Sequence, residues 1–180
     1  EHLTIYAFST ENWDRPPEEV KGLMSILEEV INSKTQELHE KGVRLQHLGK
    51  LDRLSPGLQR AVYNATDLTS DNKLITLNVA FNYGGRAEIL EAVRGMVRDG
   101  VSADGIDEDS FRRYLYIRDI PDPDLIIRTA GEMRMSNFLL WQAAYSEYYS
   151  TPVLWPDFDK QELQKALEVF GKRTRSFGKV

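Results

Sequence analysis

Apolar and polar positions follow one another along the chain in blocks that predict strands and helices in turn. Strands are predicted at residues 3–8, 43–48, 74–81, 124–128 and 147–150. Between the strands, apolar residues recur every three or four positions, which is the period of a helix that buries one face. Helices are predicted at residues 20–38, 56–68, 87–98, 111–116, 137–145 and 160–170. Such alternation predicts an α/β fold, with an open, mainly parallel sheet that carries helices on both faces.

Local signals mark several of these boundaries. Gly42 ends the first predicted helix, because glycine readily takes the left-handed conformation that closes helices. Ser55 is a typical N-cap, and Pro56 suits the first helical position after it. Either Asp109 or Ser110 is expected to cap the short helix at 111–116. The run at 74–81 is almost continuously apolar, which is typical of a strand buried on both faces of a parallel sheet.

Composition and charge narrow the class of protein. A chain of 180 residues, 41% apolar and 28% charged, suits one compact domain over 1–180. Its net charge of −5 argues against nucleic-acid binding, which needs a basic face. The absence of cysteine excludes disulfides and thiolate metal sites and suits a cytoplasmic protein. Because the chain opens almost at once on a strand, without an initiator methionine, we expect it to be N-terminally incomplete.

Polar clusters follow three of the predicted strands, at residues 9–15, 82–86 and 128–136. Parallel strands end at one edge of a sheet, where ligands bind, so we expect the three clusters to form a single site. Their arginines are Arg15, Arg86, Arg128 and Arg134. Guanidinium groups bind phosphate oxygens in pairs and keep their charge when partly buried. The clusters therefore predict a diphosphate site, the alternative being ordinary pairing of these arginines with acidic neighbours such as Asp124 and Glu132.

The same segments carry motifs of a known family. The sequences STENWDRP at 9–16, NYGGR at 82–86 and RTAGEMRMSNFLLWQ at 128–142 resemble three signature motifs of the cis-prenyltransferases. A fourth motif, YSEYY at 145–149 with LWPDF at 154–158, matches as well. Four long motifs in the family's order make the resemblance specific, and it extends over nearly the whole chain.

The resemblance implies a homodimeric enzyme of the undecaprenyl diphosphate synthase type. Members of that family join isopentenyl diphosphate to an allylic prenyl diphosphate with cis geometry, and Mg²⁺ assists departure of the leaving diphosphate. Mg²⁺ suits this chemistry, because it is a hard cation that needs only one or two carboxylates from the protein. We expect such an enzyme to be cytoplasmic, with peripheral membrane association for release of its apolar product.

The resemblance also assigns roles to particular residues. Positions that match Arg128, Arg134 and Ser136 hold the isopentenyl diphosphate. The position that matches Glu147 helps to organise the metal, often across the dimer interface. A mobile loop that closes over the substrates matches Ser9, Asn12, Trp13 and Arg15, with Asn12 placed near the proton that is removed.

Three departures from the family pattern bear on activity. The family's opening motif, whose aspartate is the central catalytic and metal-binding residue, is absent from these 180 residues, so we expect the chain by itself to be inactive. Ala130 and Met133 stand where the family usually has glycine or serine and histidine or glutamine. The family's C-terminal Arg-x-Gly reads Ser176-Phe177-Gly178, with Arg175 one position early.

The product of such an enzyme needs a dry channel, because each buried methylene group contributes about 0.8 kcal/mol. We expect one face of the first helix to line this channel together with Ile5 and Ala7. The residues of that face are Leu23, Met24, Leu27 and Ile31. The alternative is an ordinary core between a helix and a sheet.

Two other functions stay open. The chain could be the non-catalytic subunit of a heteromeric cis-prenyltransferase, but such subunits tend to lose the residues that match Asn12, Arg15 and Arg128. It could also be a doubly wound protein that binds a nucleotide or phosphate, but no GxGxxG or Walker sequence follows a predicted strand.

Overall fold

A three-stranded parallel sheet organises the first part of the chain. The computed structural model describes residues 1–116 and 118–173, which divide into two units, Glu1–Ile120 and Pro121–Val180. In the first unit, strands β1 (His2–Ser9), β2 (Val43–Leu48) and β3 (Ile75–Tyr83) pair in the order β1-β3-β2. Both pairings are parallel, and the second half of β3 is buried, as its apolar run predicted.

Four helices complete the described part of the first unit. They are α1 (Pro17–Glu40), α2 (Pro56–Leu68), α3 (Gly85–Arg98) and α4 (Glu108–Arg112), with 3₁₀ turns at Thr10–Asp14 and Ala103–Gly105. The apolar faces of α1 and α2 meet one face of the sheet, where Phe8, Leu58 and Phe81 are buried together. Burial of such side chains is the main stabilising contribution to the fold.

The second unit contains a separate two-stranded parallel sheet. Strand β4 (Leu125–Arg128) pairs with β5 (Glu147–Ser150), and helix α5 (Lys160–Gly171) follows after a 3₁₀ turn at Trp155–Asp157. The predicted α/β class and parallel pairing are therefore confirmed, with the described strands divided between two sheets. In the described residues, no helix combines the length and the apolar character that crossing a membrane requires.

The prediction for the short helix was wrong at both ends. Helix α4 covers Glu108–Arg112, and its cap is Asp107 rather than Asp109 or Ser110. Asp107 accepts a hydrogen bond from the backbone N–H of Ser110 at 2.7 Å, and the Ser110 hydroxyl accepts one from the backbone N–H of Asp107 at 2.8 Å. This reciprocal capping box starts the helix before the position that the apolar pattern indicated.

The predicted helix at 137–145 was also wrong. That segment forms successive turns, and left-handed backbone angles mark its start, with φ of 48° at Ser136 just before it, 62° at Asn137 and 43° at Leu139. A right-handed helix requires negative φ at each residue, so these three positions prevent helix formation. The apolar pattern instead reflects burial within the turns, where Leu139 is 2% exposed.

Candidate active site

The carboxyl ends of β1, β2 and β3 form one edge of the first unit, because the three strands are parallel. The segments that follow these ends are 9–15, 49–54 and 82–86. A hydrogen bond of 2.7 Å from the indole N–H of Trp13 to the side-chain oxygen of Asn82 joins the first segment to the third. The prediction that these two polar clusters share an edge is therefore confirmed.

The 9–15 segment is held by its own side chains. Ser9 and Asn12 cap its 3₁₀ turn reciprocally, since the Ser9 hydroxyl accepts from the backbone N–H of Glu11 at 3.0 Å and Asn12 Oδ1 accepts from that of Ser9 at 2.9 Å. The N–H groups of the Asn12 amide have no hydrogen-bond partner within 1–116 and 118–173, so they are available to a substrate. Arg15 is exposed and pairs with Glu19 at 2.5 Å.

The loop after β2 meets the end of β3 through backbone contacts that require glycine. Gly49 has φ of 125°, and a Cβ there would lie 2.3 Å from the carbonyl oxygen of Phe81. The backbone N–H of Lys50 donates to the Asn82 carbonyl at 3.2 Å, and the Asn82 amide donates to the Lys50 carbonyl at 2.9 Å. Asn82 itself has a left-handed φ of 51°, which asparagine tolerates better than most residues.

Trp13 lies at the centre of this edge. Its ring packs edge-on against Phe8, with centroids 5.2 Å apart, and its N–H is bonded to Asn82. The guanidinium carbon of Arg53 lies 4.2 Å from the centroid of the indole ring. Gly49, Lys50 and Arg53 were missed in the sequence, although the rule that strand ends carry the site applies to β2 as well.

The two cations of the β2 loop have different partners. The Lys50 ammonium group pairs with Glu91 at 2.9 Å. Hydrogen bonds from Lys50 and Arg94 lower the pKa of the Glu91 carboxyl group. Arg53, by contrast, has no acidic partner anywhere in the described part of the chain. Its guanidinium N–H groups therefore remain available for other contacts.

The NYGGR segment leads from β3 into α3. Tyr83 is fully buried, and its hydroxyl donates to Glu88 Oε2 at 2.5 Å. The other oxygen of the buried Glu88 accepts from the backbone N–H of Tyr116 at 2.9 Å. Burial raises the pKa of the Tyr116 hydroxyl, with a further contribution from Glu91. Arg86 is exposed in the first turn of α3, where free backbone N–H groups favour anions.

In the second unit, the loop after β4 folds back along β5. Arg128, half-buried at the end of β4, pairs in register with Ser150. The backbone N–H groups of Ala130 and Gly131 donate to the carbonyls of Val153 and Thr151, both at 2.8 Å. These bonds hold the start of the loop beside the strand end from which Arg128 projects.

The rest of this loop carries the two other predicted ligands of isopentenyl diphosphate. The hydroxyl of Tyr148 donates to the Arg134 carbonyl at 3.1 Å, and that of Ser150 donates to the Glu132 carbonyl at 3.0 Å. Arg134 is exposed and ion-paired with Glu132, and Ser136 is exposed at a left-handed φ of 48°. The structure thus places Arg128, Arg134 and Ser136 within one unit. That they share an edge with Asn12 stays a prediction.

Glu147, the predicted metal ligand, forms an ion pair with an arginine. Its carboxylate lies 2.6 Å from Nη1 of Arg173, and both side chains are about a third exposed. Within the described residues, no group of three or more histidine, cysteine or acidic side chains is arranged to hold a metal ion. Glu147 alone fits a Mg²⁺ ion that takes its other ligands from a diphosphate and water. Its role as a ligand stays a prediction.

A family model described as "Putative undecaprenyl diphosphate synthase" matches residues 1–178. The chain belongs to this family. Similar curated members include the isoprenyl transferase of Heliobacterium mobile, which is 49% identical over 99% of this chain and 70% of its own length. The isoprenyl transferase of Aquifex aeolicus is 50% identical over 99% of this chain and 77% of its own length. A Pectobacterium atrosepticum member is named ditrans,polycis-undecaprenyl-diphosphate synthase ((2E,6E)-farnesyl-diphosphate specific). It is 47% identical over 98% of this chain and 71% of its own length.

Two solved structures share the fold of this chain. The lavandulyl diphosphate synthase of Lavandula x intermedia, in complex with dimethylallyl diphosphate, has a TM-score of 0.94 and 40% identity, covering 99% of this chain and 79% of that one. A probable undecaprenyl diphosphate synthase from Campylobacter jejuni has a TM-score of 0.91 and 31% identity, covering 99% of this chain and 84% of that one.

The departures from the family pattern have different structural consequences. Ala130 takes a left-handed φ of 63°, a conformation that favours the glycine common at this position in the family. Met133 is 74% exposed, so it leaves an apolar side chain in solvent where the family usually has a polar one. Arg175, Ser176 and Gly178 lie outside the described residues.

Among the residues expected to line a product channel, the four on α1 pack against the core of the first unit. Leu23, Met24, Leu27 and Ile31 all pack against the buried cluster of Phe8, Leu54, Leu58 and Phe81. This is the core between helix and sheet that the sequence offered as the alternative. Ile5 is half-buried, and Ala7 is exposed at a bulge where β1 loses its register with β3. A channel along this face stays a prediction.

Proposed function

We propose that this chain is an isoprenyl transferase that lengthens a prenyl chain with cis geometry. It would condense isopentenyl diphosphate with an allylic prenyl diphosphate to give a (poly)cis-prenyl diphosphate such as undecaprenyl diphosphate. The observation that carries this proposal is 47–50% identity, over 98–99% of the chain, to enzymes with these names. The two arginine-bearing strand ends support it, because they supply the cations that diphosphates require.

In this reaction, the double bond of isopentenyl diphosphate attacks the first carbon of the allylic substrate. A carbon–carbon bond forms as the bond from that allylic carbon to its diphosphate breaks, and the proton then leaves C2 of the isopentenyl group, which becomes one of the two carbons of the new double bond. Arg128, Arg134 and Ser136 would hold the diphosphate of isopentenyl diphosphate. Arg128 is half-buried as a residue, and partial burial strengthens the attraction of a cation for phosphate oxygens.

The 9–15 segment would place its polar groups against the reacting carbons. An amide is neither an acid nor a base near neutral pH, so Asn12 would orient the groups that exchange the proton rather than take it up itself. Its N–H groups are free of partners in the described chain, which suits this role. Ser9 fixes the amide by donating its backbone N–H to Asn12 Oδ1, while Trp13 and Arg15 extend the same surface.

Mg²⁺ is part of the proposal. When bound, it neutralises charge on the departing diphosphate. Glu147 is the residue of this chain that would contribute a carboxylate ligand. Its ion pair with Arg173 would have to open or rearrange to release an oxygen.

We extend the proposal to a homodimer with peripheral membrane association. Large apolar side chains are exposed in the second unit, among them Tyr145 at 77% and Trp155 at 65%. Burial against a second copy would remove this apolar surface from water. Sedimentation velocity measures the oligomeric state directly, and a monomer at micromolar concentration would contradict this part of the proposal.

Incorporation of radiolabelled isopentenyl diphosphate into longer products, with an allylic primer and Mg²⁺, tests the proposed function on the natural protein. We expect Arg128→Ala to reduce kcat/KM roughly ten- to hundredfold, because charge-assisted hydrogen bonds contribute about 1.5–3 kcal/mol each. Arg60→Ala is the matched control, since Arg60 is exposed on α2. Equal activity of the two variants would contradict the assignment of Arg128. Activity that appears only with a second, different chain would identify a non-catalytic subunit instead.

A further inference from the structure

The loop after β2 supplies a cation that sequence motifs did not indicate. Arg53 lies one residue before the buried Leu54, so its backbone is anchored in the core while its side chain is exposed. The guanidinium carbon is 4.2 Å from the centroid of the Trp13 ring, within the range of a cation–π contact. Arg53 therefore contacts the segment that also carries Asn12, from a different part of the chain.

In the described part of the chain, no carboxylate pairs with the positive charge of Arg53. Asp52 is next to it in the sequence, yet no acidic side chain in residues 1–116 and 118–173 forms an ion pair with Arg53. Lys50, three residues earlier, is held instead by Glu91 at 2.9 Å. The interaction that holds the Arg53 guanidinium is thus its contact over the indole ring.

Trp13 packs on the buried cluster of the first unit, and three of its contacts come from three different strand ends. Phe8 of β1 supports one side of the ring, and Asn82 at the end of β3 accepts the indole N–H at 2.7 Å. Arg53 supplies the contact from the β2 loop. Phe8 is buried, whereas Arg53 is exposed, so the contact with Arg53 can break without disturbing the core.

We propose that Arg53 is a positioning residue for the reaction, which holds Trp13, and with it the segment 9–15, in the conformation that presents the Asn12 amide. This inference rests on the proposed function. A planar guanidinium can stack on the indole ring, and a lysine ammonium cannot match that contact. Loss of Arg53 leaves Trp13 held by Phe8 and Asn82 but uncovered on the side of the cation, so the segment spends less time in the productive conformation.

The test compares Arg53→Gln, Arg53→Lys and the control Arg60→Gln in the natural protein. We expect Arg53→Gln to lower kcat about two- to fivefold, the effect of losing one exposed cation–π contact, with KM for isopentenyl diphosphate changed less than about twofold. Arg53→Lys should fall between Arg53→Gln and the wild type. Arg60→Gln should match the wild type.

A second readout reports on Trp13 itself. Each of the three tryptophans of this chain gives a ¹⁹F resonance in protein labelled with 5-fluorotryptophan, and Trp13→Phe assigns the resonance of Trp13. We expect Arg53→Gln to shift the Trp13 resonance and to leave the other resonances in place. A change in general stability would not select one resonance in this way.

The outcomes separate this inference from the proposed function. A wild-type protein without condensation activity overturns the proposed function, and the role of Arg53 falls with it. An active wild type whose kcat is unchanged by Arg53→Gln overturns the role of Arg53 alone. An unmoved Trp13 resonance in Arg53→Gln overturns the contact on which the inference depends.

Discussion

Gly49 offers the sharpest test of how the edge of the first unit is built. It has φ of 125°, and a Cβ would lie 2.3 Å from the Phe81 carbonyl oxygen and 2.7 Å from that of Asn82. Both contacts are with the backbone of β3, which pairs with β1 on one side and β2 on the other. We therefore expect Gly49→Ala to displace the end of β3 rather than to be absorbed by a flexible side chain.

The magnitude follows from two contributions. Holding a residue other than glycine at such a φ costs on the order of 1–3 kcal/mol. Forcing an extra methyl group into a packed region costs about 1–3 kcal/mol more. The sum, about 2–6 kcal/mol, is a large part of the roughly 5–15 kcal/mol that stabilises an ordinary domain.

Gly22→Ala is the matched control, because it makes the same chemical change in a different environment. Gly22 lies within α1, and no atom comes within 4 Å of a Cβ built there. Alanine there should raise the free energy of unfolding by about 0.5–1 kcal/mol, since glycine disfavours the interior of a helix.

Urea denaturation followed by far-UV circular dichroism measures both variants. With a slope of about 1–3 kcal/mol per molar urea, the loss in Gly49→Ala should lower the midpoint by roughly 1 M or more. The displacement should also weaken the contact between Trp13 and Asn82, whose backbone is the one that moves. A Gly49→Ala midpoint equal to or above that of the wild type would refute the reasoning.

Two further predictions concern pH and a departure from the family pattern. Burial lowers the pKa of His47 below its ordinary 6.5, so the unfolded chain takes up a proton first. The stability that this histidine contributes is complete above pH 6.5 and is lost as the pH falls toward its folded pKa. Urea midpoints measured across this pH range should therefore fall less steeply for His47→Gln than for the wild type. Ala130→Gly should raise the free energy of unfolding by about 1 kcal/mol through relief of a left-handed backbone, and an unchanged midpoint would contradict that account.

The parts of the fold that the sequence predicted correctly are those where local and tertiary signals agree. Ser55 and Pro56 start α2 at the predicted residue, since Ser55 accepts from the backbone N–H of Leu58 at 3.2 Å. Strands β2 and β5 have their predicted bounds. In each case a turn or cap signal lies directly beside an apolar run that is buried in the structure.

The failure at 137–145 has a physical cause, which is backbone conformation that side-chain type does not reveal. Leu139 at φ of 43° has an unusual conformation for leucine, and no local signal predicts it. The loop of Gly49 and Arg53 was missed for a different reason, because the rule for strand ends applies to β2 as well. Its contacts with β3 depend on the strand order, which the residues near Gly49 do not reveal.

The residue type and strand position of Glu147 predict that it has a partner, but they do not identify that partner. A carboxylate in an aromatic strand is costly to bury without a partner, and either a metal or an arginine can serve as that partner. The structure has Arg173 as that partner at 2.6 Å. An ion pair with both side chains about a third exposed contributes at most about 1 kcal/mol, because solvent screens it. Coordination of a divalent cation that also binds a diphosphate can outweigh so small a contribution, so the observed pair and the proposed ligand role of Glu147 are energetically compatible.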